Sequence, residues 1–216
     1  YLNVPSGNFG NALGGYYAMK MGVPVEKILI SSNRNNVLTD WVRSGRYDLH
    51  KRAVVATTSP AMDLLKSSNV ERVLYDLFGA QRTREFMEQL DNEHAYQLRD
   101  DELVQLQSIF AADYATDDEV DTYIRDTFES GYLLDPHTAT CLKAHDSCRD
   151  QALPDIVYST AEWTKFSPTI AHALTGEIDV HDIDALNSIA QTADTPIPPI
   201  SAALFDKPVT PNTVID

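Results

Sequence analysis

The sequence predicts an α/β fold: a parallel sheet inside a three-layer αβα arrangement, with an all-helical insertion over residues 82–131. Three observations predict it. An apolar run, Tyr1-Leu2-Asn3-Val4, passes through Pro5-Ser6-Gly7-Asn8 into a helical stretch, and a second apolar run, Lys27 to Ser32, follows. Strand, crossover helix and strand make a βαβ unit, which requires parallel pairing. A third run, Asp155-Ile156-Val157-Tyr158-Ser159-Thr160, ends like the other two in short polar side chains. Ligands bind such sheets beyond the carboxyl ends of the strands. Ser6-Gly7-Asn8, Ser31-Ser32-Asn33 and Ser159-Thr160 are therefore expected to converge on one edge.

The elements follow in order. Phe9 to Met21 carries small and apolar residues almost all round, as a buried helix does, and Gly14-Gly15 permits close approach to a strand. Gly22 and Pro24 end it. Asn35-Asn36 is expected to cap a helix from Val37 to Val42, closed by Ser44-Gly45. Ala53 to Thr57 reads as a strand or an extended segment before Ser59-Pro60. From Met62 to Gly79 the apolar residues fall at helical intervals, with Ser68 and Glu71 spaced as a capping box. Residues 82–131 are acidic and helical in period, with stripes at Phe86/Met87/Leu90, Leu103/Leu106/Ile109 and Val120/Tyr123/Ile124/Phe128. Asp135 as N-cap and Pro136 at the first turn open a helix that carries both cysteines. Lys165-Phe166 and Ile170 to Leu174 form a short helix ending at Gly176. The tail, Thr195 to Pro199 and Pro208 to Pro211, is expected to be extended.

Composition excludes some functions. Of 216 residues, 43% are hydrophobic and 23% charged, an ordinary globular balance for a sizeable core. No run approaches the roughly eighteen apolar residues of a membrane span. With 32 acidic against 17 basic residues the net charge is −15. Such a surface repels nucleic acid and anionic lipid, so neither is an expected partner. Cys141 and Cys148 lie about 10.5 Å apart along one helix, too far for a disulfide. They read as core thiols of a cytoplasmic protein. The chain lacks an initiator Met and opens inside a strand-like run, which predicts a piece of a longer protein. It is expected to fold over 1–216 as one unit of that protein.

The chemistry concentrates at the first turn. A glycine turn leading into a helix N-terminus leaves backbone N–H groups unpaired, and the helix dipole adds positive potential. Together they make an anion site suited to phosphate. Gly7 and Gly10 would allow the turn, and Ser6, Asn8 and Asn11 would add donors. An ordinary capped βα turn has the same pattern. There is no G-x-x-x-x-G-K-[ST], no G-x-G-x-x-G and no G-x-S-x-G. No close His/Cys/Asp set predicts a metal. His137 stands beside other candidates, and a helix-start residue bonded to backbone is its expected role.

The ordered motifs carry a resemblance. Val4-Pro-Ser-Gly-Asn-Phe-Gly-Asn11, Lys20-Met-Gly-Val-Pro-Val25, Ser31-Ser-Asn-Arg-Asn-Asn36, Ser59-Pro-Ala-Met-Asp-Leu64, Ser67-Ser-Asn-Val-Glu-Arg72, Leu134-Asp-Pro-His-Thr-Ala139 and Ser159-Thr-Ala161 with Lys165-Phe166 occur in this order. Over most of residues 1–175 the chain resembles the threonine synthases of bacteria and fungi, and within them the C-terminal portion. The resemblance implies a pyridoxal-phosphate enzyme of fold type II, a carbon–oxygen lyase acting on phosphates. It converts O-phospho-L-homoserine and water into L-threonine and phosphate, a step of threonine biosynthesis. It also implies that Gly7, Asn8, Phe9, Gly10 and Asn11 bind the cofactor phosphate and that Thr160 meets the pyridine nitrogen. A neutral hydroxyl there leaves the ring a weaker electron sink than a carboxylate would.

Two departures stand out. The family's His-Pro-Ala after Ser-Thr-Ala is replaced by Glu162-Trp163-Thr164. The family's Schiff-base lysine lies in an N-terminal Ser-Phe-Lys-Asp-like motif, and no lysine here has that context. The chain alone is therefore expected to be inactive, with no catalytic residue of its own, and to need the missing N-terminal region. Two other readings stay open: a phospho-lyase of related substrates, permitted by Glu162-Trp163, and a non-catalytic phosphate-binding module.

Overall fold

The computed structural model describes residues 1–208. Six strands are defined there: β1 (Leu2–Pro5), β2 (Ile28–Ser32), β3 (Arg46–Asp48), β4 (Ala95–Gln97), β5 (Phe110–Tyr114) and β6 (Ile156–Val157). Four form one sheet in the order β5-β2-β1-β6, and β3 pairs antiparallel with β4. The main sheet is parallel throughout. Leu2 lies opposite both Ile28 and Ile156, and Ile28 lies opposite Phe110. The three runs picked out from sequence are thus neighbours, as expected. All residues of β1 and β2 are buried, because helices cover both faces.

On one face lies α1 (Gly10–Lys20), packed against β1 and β2. A Cβ at Gly15 would sit 3.3 Å from Leu2 Cδ1 and 3.6 Å from Ile28 Cδ1, whereas one at Gly14 would meet nothing. Only Gly15 gives the close approach. The same layer holds α2 (Val37–Ser44) and α3 (Val70–Glu93), which is broken into two helical pieces at Gly79 (φ 78°), and its core joins Phe9, Tyr16, Ile28, Ile30, Trp41 and Phe110. α4 (Asp100–Ile109) and α5 (Asp117–Glu129) follow. On the opposite face, α6 (Pro136–Cys148) crosses β1, β2 and β5. A second core joins α5 and α6 to α7 (Ser167–Thr175) and α8 (Asp182–Thr192) through Val120, Ile124, Ala139, Ile170 and Ile189. The last helix is α9 (Pro199–Phe205). Cys141 is buried and Cys148 half-buried; both are free, and burial pushes both thiols up.

Several expectations are corrected. Residues 82–131 are not an all-helical insertion: β4 and β5 lie within them, and β5 is an edge strand of the main sheet. Of the two alternatives for Ala53 to Thr57, a strand or an extended segment, the strand is not formed. Asn36 occupies the N-cap position of α2, but its side chain accepts from Arg52 Nη1 at 3.0 Å instead of capping. The N-cap position of α3 falls on Asn69, so Ser68 forms no capping box. Positions 195–198 carry no regular structure, α9 begins at Pro199 where the first extended stretch was expected to end, and of Pro208 to Pro211 the positions beyond 208 lie outside the described residues. The 53–63 segment owes its shape to side chains. Asn33 Nδ2 donates to Thr57 Oγ1 and to Asp63 Oδ1, each at 2.8 Å, and Asn35 Nδ2 donates to Val55 O at 2.9 Å.

Candidate functional site

β1 ends at Pro5 and α1 begins at Gly10, so the chain reverses within four residues. The residue that makes the reversal is Phe9, in the left-handed region at φ 64°. A bulky residue there is strained by roughly 1–3 kcal/mol. Burial of its ring offsets that cost. The ring packs edge-on against Trp41 and Phe110, at centroid distances of 6.0 and 5.5 Å. Phe9 thus offers a ligand only its main chain. Neither Gly7 nor Gly10 has positive φ, which corrects the expectation that the glycines supply the turn. Gly7 has another reason to be glycine: a Cβ would lie 2.8 Å from Met62 Cα. At Gly10 a Cβ would meet only Asn69 Nδ2, at an ordinary 3.6 Å.

The hydrogen-bond pattern of the turn is lopsided. Ser6 N–H donates to Ser31 O at 2.8 Å, and Leu13 N–H to Phe9 O at 2.9 Å. Between them, the N–H groups of Gly7, Asn8, Phe9, Gly10 and Asn11 donate to no protein acceptor among the described residues. Uncompensated main-chain donors at a helix start form a site for an anion. Asn8, Gly10 and Asn11 are exposed, so a ligand can reach them. Ser6 is corrected as a donor, because its hydroxyl donates to Val4 O at 3.1 Å.

Gly7 to Asn11 share one cleft of about 220 Å³ with Ala61, Met62, His137 and Thr160. The first and third polar strand ends therefore meet. The second does not: Ser31 Oγ donates to Asn3 Oδ1 at 2.8 Å, Ser32 Oγ is buried, and Asn33 holds the 53–63 segment. Its contribution is indirect, through the loop that brings Ala61 and Met62 to the cleft. Among the described residues no carboxylate lines the cleft, a local exception on so acidic a chain.

Sequence reasoning missed how the rest of the cleft wall is tied. Asp135 caps α6 as expected, and its Oδ1 accepts from His137 N–H at 2.9 Å. Its other oxygen accepts from the Thr138 hydroxyl. Thr138 Oγ1 in turn accepts the Thr160 N–H at 3.3 Å. His137 Nε2 accepts Ala61 N–H at 3.1 Å, which puts the ring proton on Nδ1, 3.1 Å from Asp135 Oδ1. Burial pushes the Asp135 carboxyl up, but the bonds from His137 and Thr138 outweigh it and hold the group below the usual carboxylate range. One buried carboxylate thus fixes both Thr160 and Ala61. The Thr160 hydroxyl itself has no protein partner among the described residues. The signal for this network, Asp135-Pro-His-Thr138, was visible as a cap but not as a link between walls.

No family model matches the chain. A threonine synthase-like 1 protein of Macaca fascicularis is 38% identical over 207 residues, covering 94% of this chain and 28% of that protein. The crystal structure of a yeast threonine synthase matches with a TM-score of 0.82 and 30% identity, over 95% of this chain and 42% of that one. A pyridoxal-phosphate-bound threonine synthase of Brucella melitensis matches with a TM-score of 0.78 and 32% identity, over 90% of this chain and 41% of that one. The chain thus spans 28% of the relative's length and 41–42% of the two crystallised chains.

Proposed function

From the premise that this chain belongs with the threonine synthases and threonine synthase-like proteins, over 94% of its own length and as only part of theirs, we propose that it supplies the phosphate cradle of a pyridoxal-phosphate enzyme. The observation that carries the proposal is the run of unpaired N–H groups from Gly7 to Asn11, opening on the cleft that Thr160 also lines. These groups fit a phosphate: five main-chain donors at a helix start, the exposed Asn8 and Asn11 side chains, and, among the described residues, no carboxylate lining the cleft. The cofactor, when bound, supplies an electron sink that stabilises negative charge on the substrate carbon skeleton.

Thr160, which lines the cleft, would present its hydroxyl to the cofactor's ring nitrogen. Its main chain is fixed through Thr138, so the hydroxyl stays on the cleft. A neutral partner leaves that nitrogen less protonated than a carboxylate would. None of the lysines at 20, 27, 51, 66, 143, 165 and 207 lines the cleft. The lysine that binds the cofactor and moves protons therefore comes, in this proposal, from the N-terminal region of the whole protein, and the present chain alone is inactive. The reaction is that of O-phospho-L-homoserine with water, giving L-threonine and phosphate, in the cytoplasm. Among the described residues no helix is long and apolar enough to cross a membrane.

One observation favours a second reading. Glu162 and Trp163 replace the family's usual residues just past Thr160, and Trp163 is buried at the start of the turn that leads into α7. A changed wall there permits a phospho-lyase acting on a related amino-alcohol phosphate. The test is to assay the full-length protein on O-phosphohomoserine and O-phosphothreonine. Equimolar threonine and phosphate from the first supports the proposal. Phosphate released from the second alone supports the lyase, and release from neither favours a binding module without catalysis.

A further inference from the structure

We infer that Ser67, Ser68 and Asn69, on the segment leading into α3, and Arg72, in the first turn of α3, are positioning residues that aim and polarise the donors of the cradle. This rests on the phosphate reading of Gly7 to Asn11. Four contacts join the two segments. Ser67 Oγ donates to Gly7 O, and Asn69 Nδ2 donates to Asn8 O at 2.9 Å. Asn8 Oδ1 accepts from both Ser68 N–H, at 2.7 Å, and Ser68 Oγ, at 2.9 Å.

Each contact turns an acceptor away from the cleft. The carbonyls of Gly7 and Asn8 belong to the same peptide groups as the N–H of Asn8 and of Phe9. A hydrogen bond accepted by the carbonyl polarises its own peptide and strengthens the N–H at the other end. Two of the cradle donors are thus reinforced from outside. The Asn8 side chain is handled in the same way. Ser68 N–H can only donate, so the atom facing it must be the amide oxygen. With both acceptor positions filled, the Asn8 NH₂ is the end left without a protein partner among the described residues.

A reversed amide would set an oxygen beside an anion. Asn69 is fixed by the same logic. Arg72 Nη1 donates to Asn69 Oδ1 at 3.0 Å and to Ser68 O at 3.3 Å. A guanidinium accepts nothing, so the Asn69 NH₂ must face Asn8 O. The donor sense runs from the full positive charge of Arg72 through Asn69 into the cradle.

The test compares pyridoxal phosphate with pyridoxal, which lacks the phosphate, on the full-length protein. The S67A/S68A double variant should bind pyridoxal phosphate about tenfold more weakly, while pyridoxal binding stays unchanged. S67T/S68T, which restores both hydroxyls, should recover most of the loss. Equal weakening for both ligands would mean a loosened fold, and pyridoxal phosphate binding within twofold of wild type would mean an idle clamp. Either result overturns the inference. Wild-type protein that does not distinguish the two ligands would overturn the phosphate reading itself, and this inference with it. Asn8→Asp gives a separate check. It keeps the acceptor for Ser68 N–H but removes the inward donor, so it should select against pyridoxal phosphate alone.

Discussion

Replacing Gly7 by alanine is expected to weaken pyridoxal phosphate binding at least tenfold, while the same change at Gly10 leaves it within about threefold. The difference follows from what each new Cβ meets. At Gly7 it would lie 2.8 Å from Met62 Cα, and backbone yields only by moving the cradle or the 60–63 turn. Overpacking of this kind costs about 1–3 kcal/mol. It also displaces the unpaired N–H groups on which the proposed site rests. At Gly10 the contact is Asn69 Nδ2 at an ordinary van der Waals 3.6 Å, φ is not positive, and the N–H remains. The sequence alone ranks the two glycines equally. Isothermal titration of the two variants, with their unfolding midpoints measured beside it, tests the ranking. Equal loss at both positions would mean that Gly7 is not specially constrained.

The second large effect is expected at Asp135. Its carboxylate is buried and accepts from His137 N–H, Thr138 N–H, the Thr138 hydroxyl and His137 Nδ1. Alanine there removes a cap and orphans buried donors, so a loss of about 3–5 kcal/mol is expected in denaturant unfolding. Asparagine keeps the shape and should cost less. It also changes the pH dependence in a defined direction. The folded carboxyl lies below its ordinary range. Its contribution is therefore complete above about pH 4 and is lost as pH falls through the lower folded value. Asp135→Asn should lower stability near neutrality and flatten the acid limb below about pH 4. An unchanged acid limb would show that the carboxylate is not charged in the fold. Binding should fall in both variants, because Thr160 and Ala61 lose their common tether.

Much of this was legible in the sequence, where the signals are local. β1, β2 and β6 read as strands because short apolar runs end in polar residues, and α6 because Asp135-Pro136 is a cap with a physical mechanism. β5 was hidden for a physical reason. α4 ends at Ile109 and β5 begins at Phe110, with no glycine or proline between them. Helical stripes on either side then extended the pattern across it. The unpaired N–H groups at the start of α1 were anticipated from the sequence, but the mechanics of the turn were misjudged. Phe9 takes the left-handed conformation only because Trp41 and Phe110 bury its ring, and those partners are far away in sequence. Ser31, Ser32 and Asn33 sit at a strand end as expected, yet their neighbours claim or enclose their polar atoms, which no local pattern reveals.

The most direct test of the cradle is an amide-resolved titration of pyridoxal phosphate into ¹⁵N-labelled protein. The backbone resonances of Gly7, Asn8, Phe9, Gly10 and Asn11 should shift together with Thr160, saturate on one isotherm, and respond far less to pyridoxal. Shifts centred elsewhere, or equal shifts with and without the phosphate, would contradict a phosphate site at the start of α1.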